Sequence, residues 1–314
     1  MPATPVAAVQ LDAAVADVKE NLRRCEALAD EAGRAGARWI VLPEFFTTGI
    51  GYLDRLADCV LPFDSAATQL LRDLAVRHGA FVGGSFLCRD PDGHNRNAFA
   101  LYGPDGALCG RHDKDLPTMW ENCYYVGGSD DGVIEAGPLT AGAALCWEFM
   151  RTQTPRRLRG RVDVVVGGSG WWSIPPWPPA PLTRRLEAAN ARTAAGIAPA
   201  MARLVGAPVI HAAHCGTVSC RLPWTPIPYQ GHFQGHSVIC DATGAVIARR
   251  TGEQGPGVVL AEIELGRVAP STPLPAGFWL HKRGVFPALF WTYQNAHGRR
   301  WYAKHGHGRD TAVI

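Results

Sequence analysis

What this chain lacks narrows it first. It has no C-x-x-C pair, although nine cysteines (25, 59, 88, 109, 123, 146, 215, 220 and 240) are spread over 314 residues. An odd number at irregular spacing argues against a disulfide framework and against a zinc ribbon. It also lacks a strong charge of either sign. The 31 Lys and Arg against 28 Asp and Glu leave a formal +3, too little to make nucleic acid or a membrane the main partner. No apolar run approaches the ~20 residues of a spanning helix. The N-terminal MPATPVAAVQLD has no basic stretch ahead of its apolar part. A Gly-rich phosphate loop is missing, and no Asp/Glu cluster flanks the histidines. No metal and no organic cofactor are therefore expected. A reduced, cytoplasmic protein is.

What is present is a core. Hydrophobic residues make up 47% of the chain and charged residues 19%, the balance of a well-packed globular protein. PVAAVQLD (5–12) predicts a strand. In DVKENLRRCEALADEAG (17–33) the apolar Val18, Leu22, Cys25, Leu28, Ala29 and Ala32 fall at helical spacing. Asp17 and Glu20 form a capping-box pattern, and Gly33 and Gly36 predict the stop. WIVLPE (39–44) is a continuous apolar run suited to a buried strand. SAATQLLRDLAVRHG (65–79) repeats the helix pattern, with Ser65 as N-cap and Gly79 past the end. AFVGGSFLC (80–88) is the next strand, and NAFALYGPDGALCGRHDK (97–114) a hairpin about Pro-Asp-Gly. Further strands are predicted at 141–149, 162–172, 207–214 and 258–265, with a hairpin at 236–250.

Helices alternate with strands, and hairpins are interleaved. That predicts an α/β fold with mixed sheets inside and helices outside. No linker divides residues 5–268, so one domain is expected over 1–268, followed by an arm over 269–314. Residues 276–309 are rich in aromatic and basic residues and almost free of acids. An arm packed on the surface or an oligomer contact is expected there, ahead of any nucleic-acid role.

Three stretches place reactive groups at strand ends. WIVLPEFF carries Glu44, GRHDKDLPTMWEN carries Lys114 and Glu121, and ALCWE carries Cys146. Singly, each is more simply a loop residue or a core cysteine. Together they form a chemical set. Cysteine attacks as thiolate, and its free pKa is about 8.5. A carboxylate can take the proton. An ammonium can stabilise the thiolate and then an oxyanion. The set suits acyl transfer.

These segments resemble the nitrilase superfamily of carbon–nitrogen hydrolases over about residues 5–265. VLPEFFTTG looks like the glutamate segment and NRNAFALYGPDGALCGRHDKDLP like the hairpin leading to the lysine. GAALCWEF is similar to the nucleophile segment, and GHSVICDATGAVIAR to the late hairpin. The resemblance implies a four-layer α-β-β-α sandwich, usually paired across its helices, so a homodimer or higher homo-oligomer is expected. It implies that Cys146 is the nucleophile and Glu44 the general base. Lys114, with the backbone N–H of Trp147, would stabilise the tetrahedral intermediate. Glu121 would orient the lysine and the substrate. The implied activity is hydrolysis of a small non-peptide amide or nitrile through a thioester, releasing ammonia or an amine. An acyltransferase passing the same thioester to an amine would need the same residues.

Two features depart from the family pattern. Trp-Glu after Cys146 leans to nitrilases, while Arg151 and the following Pro-Arg-Arg-Leu lean to amidases. His214 stands where many relatives carry asparagine. His211 and His214 on one strand would point to opposite faces, which with His232 and His236 favours packing over metal binding. Trp171 and Trp172, in GGSGWWSIPPWPP (167–179), are candidate substrate-binding residues, with Trp147 and Tyr125. If that loop walls a pocket, the substrate is at least partly apolar or aromatic. The plainer alternative is a rigid surface loop, and for Tyr124 and Tyr125 a β-edge pair.

Overall fold

The structure, a computed structural model, describes residues 2–281 and 285–306. In chain order the strands and helices are β1 (Ala3–Asp12), α1 (Val18–Arg34), β2 (Trp39–Val41), β3 (Leu61–Pro62), α2 (Ala66–His78), β4 (Phe81–Arg89), β5 (Asn95–Tyr102), β6 (Leu108–Asp113), β7 (Val133–Ala136), β8 (Leu139–Leu145), α3 (Gln153–Leu158), β9 (Val164–Ser169), α4 (Ala180–Val205), β10 (Val209–Cys215), β11 (Thr217–Arg221), β12 (Pro228–His232), β13 (Gly235–Cys240), β14 (Val246–Thr251), β15 (Gly257–Glu264) and α5 (Val285–His305).

The main path of hydrogen-bonded strands is β6-β5-β4-β2-β1-β10-β9-β8-β7. Its centre is a seam. β1 meets β10 only at Gln10–Asp12, opposite Ala213–Cys215. Over Ala3–Gln10, β1 pairs antiparallel with β15 instead, while Val209–His211 of β10 pairs with β13. Away from the seam the sheet parts into two leaves, one ending in β15 and one carrying β13 and β14.

Strand alternation says how the leaves lie. Val6 and Ala8, Trp39 and Val41, and Phe99 and Leu101 of the first leaf share one apolar cluster with Ala143, Leu145, Val164, Val166 and Ile210 of the second. The intervening residues face outward. Ala7, Val9 and Leu11 pack under α1 and α2, and Val165 and Val209 under α4. Both faces of the central strands are covered, which is why they read as unbroken apolar runs. The four-layer α-β-β-α sandwich is present.

Local signals hold with instructive exceptions. Asp17 accepts the Glu20 N–H at 3.1 Å, but the Glu20 carboxylate bonds Arg23 and Arg24 instead of closing a capping box. Gly33 lies inside α1, because a Cβ there would sit 2.2 Å from the His78 ring. Ser65 and Gly79 bound α2 as expected, Gly79 in the left-handed conformation at φ 57°. β2 is only three residues long. Leu42 still donates to Gly83, but Pro43 has no N–H to continue the ladder. The long helices α4 and α5 and the pairing of β11 with β12 were not expected from the sequence. Small alanines and two prolines (Pro181 and Pro199) hide the apolar stripe of α4. No described helix is long and apolar enough to cross a membrane.

Residues after β15 return across the molecule. Leu280 donates to Met150, and Thr152 donates to Phe278. α5 packs against the turn at Met119–Cys123, where Asn122 donates to Asn295 at 2.9 Å.

Candidate active site

Four side chains predicted from the sequence meet at the seam. Glu44 follows the abrupt end of β2, and Lys114 follows β6. Glu121 sits in a 3₁₀ turn at Met119–Cys123, and Cys146 opens another directly after β8. The first leaf thus supplies the carboxylate and the lysine, and the second leaf the thiol. All four are fully buried.

Lys114 Nζ donates to Glu44 Oε1 at 2.8 Å and to Glu121 Oε2 at 2.7 Å. Cys146 Sγ and one oxygen from each carboxylate lie within 4.8 Å of one another. That is a donor set able to hold a cation, but the Lys114 ammonium already lies between the carboxylates. Glu44 is held from three further sides. Asn97 donates to Oε1 at 2.9 Å, the Gly170 N–H donates to Oε2 at 3.0 Å, and His214 Nε2 lies 2.5 Å from the Glu44 carbonyl oxygen. Glu121 accepts from the Thr118 N–H at 2.9 Å and from the Tyr125 hydroxyl.

Backbone strain gathers here. Phe45, Met119 and Cys146 all take positive φ, at 53°, 53° and 49°. Non-glycine residues there cost about 1–3 kcal/mol each and persist where the surroundings over-determine them. Gly168 permits the close approach that does this. A Cβ on it would lie 2.6 Å from the Ala212 carbonyl oxygen and 2.9 Å from Pro43 Cα.

The electrostatics follow from burial and pairing. Burial pushes Glu44 up to about 7, against the pull of Lys114. Burial also opposes charge on Lys114, yet Glu121 and Glu44 outweigh it and hold the ammonium well above its usual range. The Cys146 thiol is driven well above its ordinary value by burial and then by the Glu44 charge. The resting set is therefore a neutral thiol beside a carboxylate poised near neutrality and a fixed cation.

Cys146 is among the residues that line a cavity of about 340 Å³ whose walls include Trp120, Trp147, Trp171, Trp172 and Trp177. Trp147 stacks on Trp291 at 5.3 Å and 6°. Phe290 and Gln294 of α5 complete the wall. Trp147, and Trp171 and Trp172 of the Trp-rich loop, line this cavity. Tyr125 does not line the cavity; its hydroxyl is engaged by Glu121 from behind. Nor is Tyr124 a β-edge residue, since its hydroxyl bonds the backbone of Gly51 and Leu53.

His211 bonds Ser169 at 3.1 Å while His214 serves Glu44. Burial lowers both to about 4, so both are neutral. His214, the departure from the family pattern noted in the sequence, therefore contacts the Glu44 backbone.

Sequence reasoning missed a buried ion network behind the site. Glu148 accepts from the Leu145 and Asp115 N–H groups at 2.8 and 3.2 Å, and pairs with His112 and Arg157, each at 2.9 Å. It thereby ties the end of β8, which carries Cys146, to the segment that carries Lys114. Arg151, fully buried, pairs with Asp115. Asn97 was also missed, although an amide on the inward face beside Phe99 and Leu101 is unusual enough to mark it.

The sequence model of the family described as Carbon-nitrogen hydrolase matches residues 5–272. The chain belongs to that family. This carbon–nitrogen hydrolase, an enzyme acting on C–N bonds, is similar to 2-oxoglutaramate amidase of Bacillus subtilis. The two are 23% identical over 267 residues, which cover 83% of this chain and 90% of that protein. It is 35% identical over 156 residues to an omega-amidase of Danio rerio, a match over 46% of this chain and only 54% of that relative. Among solved structures it resembles a CN-hydrolase superfamily protein of Xanthomonas campestris with an arsenic adduct in its active site. The TM-score is 0.68 at 21% identity, over 84% of this chain and 91% of that one. An amidase from Nesterenkonia sp. AN1, with acrylamide added to its active-site cysteine, gives 0.64 at 18% identity over 85% and 94%.

Proposed function

We propose that this carbon–nitrogen hydrolase is an amidase acting on a small non-peptide amide, with Cys146 as nucleophile, Glu44 as general base and Lys114 as electrostatic stabiliser. The observation that carries this is the closed array at the seam. One ammonium bridges two buried carboxylates, and the thiol lies within 4.8 Å of both. The amidase names among the relatives support an amide over a nitrile.

In this mechanism the thiol proton passes to Glu44 as Sγ bonds the amide carbon. Negative charge develops on the carbonyl oxygen, and Lys114, with the Trp147 N–H, stabilises it. Glu44 returns the proton to the departing nitrogen, the C–N bond breaks, and ammonia or an amine leaves a thioester on Cys146. Water then attacks the thioester, Glu44 taking its proton, and the acid and the thiol are released. A thiol held neutral at rest makes proton transfer to Glu44 part of the attack itself.

The test is ammonia release from matched amides and nitriles by the wild-type enzyme and Cys146→Ala, with intact mass recorded during turnover. Wild type should release ammonia and carry an acyl adduct, and Cys146→Ala should do neither while remaining folded. An active Cys146→Ala, or an adduct on another cysteine, removes the proposal.

A further inference from the structure

We infer that the substrate carries an uncharged, flat, apolar acyl group with at least one ring, and that this site discriminates against carboxylate-bearing amides such as the one after which its relative 2-oxoglutaramate amidase is named. The inference rests on the proposal that Cys146 is the nucleophile, since it takes the cavity at Cys146 as the acyl site.

The first argument is size. A dry apolar cavity of roughly 150 Å³ takes one benzene ring. The cavity here is about 340 Å³, so a single small aliphatic amide leaves most of it unfilled. The second is surface. Five tryptophans with Leu182 and Leu186 form much of the wall. Their rings are already ordered against one another, Trp120 against Trp172 at 4.4 Å and Trp147 against Trp171 at 6.1 Å. Rigid aromatic walls favour flat apolar ligands.

Charge is the third argument and decides against an acid. No Arg, Lys or His stands among the described residues that line the cavity. The nearby cation, Lys114, is bound by Glu44 and Glu121. Trp120 Nε1 and Gln294 Oε1 of the wall are left without a partner, but three other polar groups hold the wall itself. Asn190 accepts from Trp171 Nε1 and donates to the Trp172 carbonyl, Thr183 donates to the Trp177 carbonyl, and Ser173 Oγ accepts the His232 N–H. A carboxylate placed in the cavity would lose its water and gain no cation among these residues, which is strongly unfavourable.

The experiment measures ammonia release by the full chain from 3-phenylpropanamide, butanamide and succinamate at pH 7.5. The expected order is phenylpropanamide over butanamide by about 10-fold in kcat/KM, and over succinamate by about 100-fold or more. Leu182→Arg, which sets a cation on the wall, should narrow the gap to succinamate by at least about 10-fold. Succinamate turned over as fast as phenylpropanamide overturns the inference, as does an unchanged ratio in Leu182→Arg. The catalytic proposal fails separately, if Cys146→Ala still releases ammonia. If no amide is turned over, calorimetric titration of Cys146→Ala decides. Tighter binding of phenylpropanamide than of succinamate supports the acyl class, and equal or reversed affinity overturns it.

Discussion

As the proposed base, Glu44 must be anionic to accept a proton, yet it is fully buried. Burial raises it to about 7, and Lys114 keeps it from going higher. The base is therefore lost as pH falls through that value. Initial-rate kcat/KM should drop about tenfold per pH unit below about 7 and level off above it. Lys114→Met removes the charge that pulls Glu44 down, so the same limb should move to higher pH while the plateau falls. Glu44→Gln keeps the size and one acceptor but loses the proton sink. Acylation, followed by single-turnover quench, should slow by roughly 10²–10⁴. At this scale the sequence singled out Glu44, Lys114, Glu121 and Cys146 only as a set, through segments that resemble those of the family, and the structure brings the four side chains together. The sequence was uninformative for the Gly170 N–H, because a backbone donor leaves no trace in residue type.

At the scale of elements, Glu148 shows how an apparent family marker can be structural. It accepts from two backbone N–H groups and two cationic side chains. Burial would raise its carboxyl, yet His112 and Arg157 hold it well below the usual range. Glu148→Gln leaves those cations buried and poorly compensated and should cost about 3–5 kcal/mol in urea denaturation. The network also has a pH signature. Burial opposes charge on His112, but Glu148 and Asp130 outweigh it and raise the group to about 9. A raised pKa in the folded state stabilises fully below the unfolded value of about 6.5. That stability is lost as pH rises through about 9. The urea midpoint should therefore fall between pH 6.5 and 9 in wild type and stay flatter in Glu148→Gln. None of this was legible in CWEF, because the partners are 36 residues upstream at His112 and nine downstream at Arg157.

At the scale of the molecule, the alternation of strands and helices was readable because each buried strand is a short apolar run bounded by turn residues. The splitting of the sheet was not readable. Nothing in PVAAVQLD says that its last three residues pair with one strand and the rest with another. That divergence puts the two leaves face to face and fixes Cys146 against Glu44. The inter-leaf layer is accordingly where packing and activity meet. Phe99→Ala, at its centre, should cost about 3–5 kcal/mol in thermal or urea unfolding. Gly168→Ala should act differently. Its Cβ meets backbone at 2.6–3.1 Å, including the Glu44 nitrogen, so kcat should fall even in preparations that unfold near the wild-type temperature.

The wall supplied by α5 has a consequence for how such an enzyme can diversify. Phe290, Gln294 and the ring on Trp147, Trp291, all lie beyond residue 272, where the family match stops. The proposed bond-breaking groups and part of the proposed selectivity surface are thus written in separate stretches of chain. On the proposed reading, exchange or redesign of the tail alone should retune which acyl groups enter, with the strand ends that hold Glu44, Lys114 and Cys146 inherited intact.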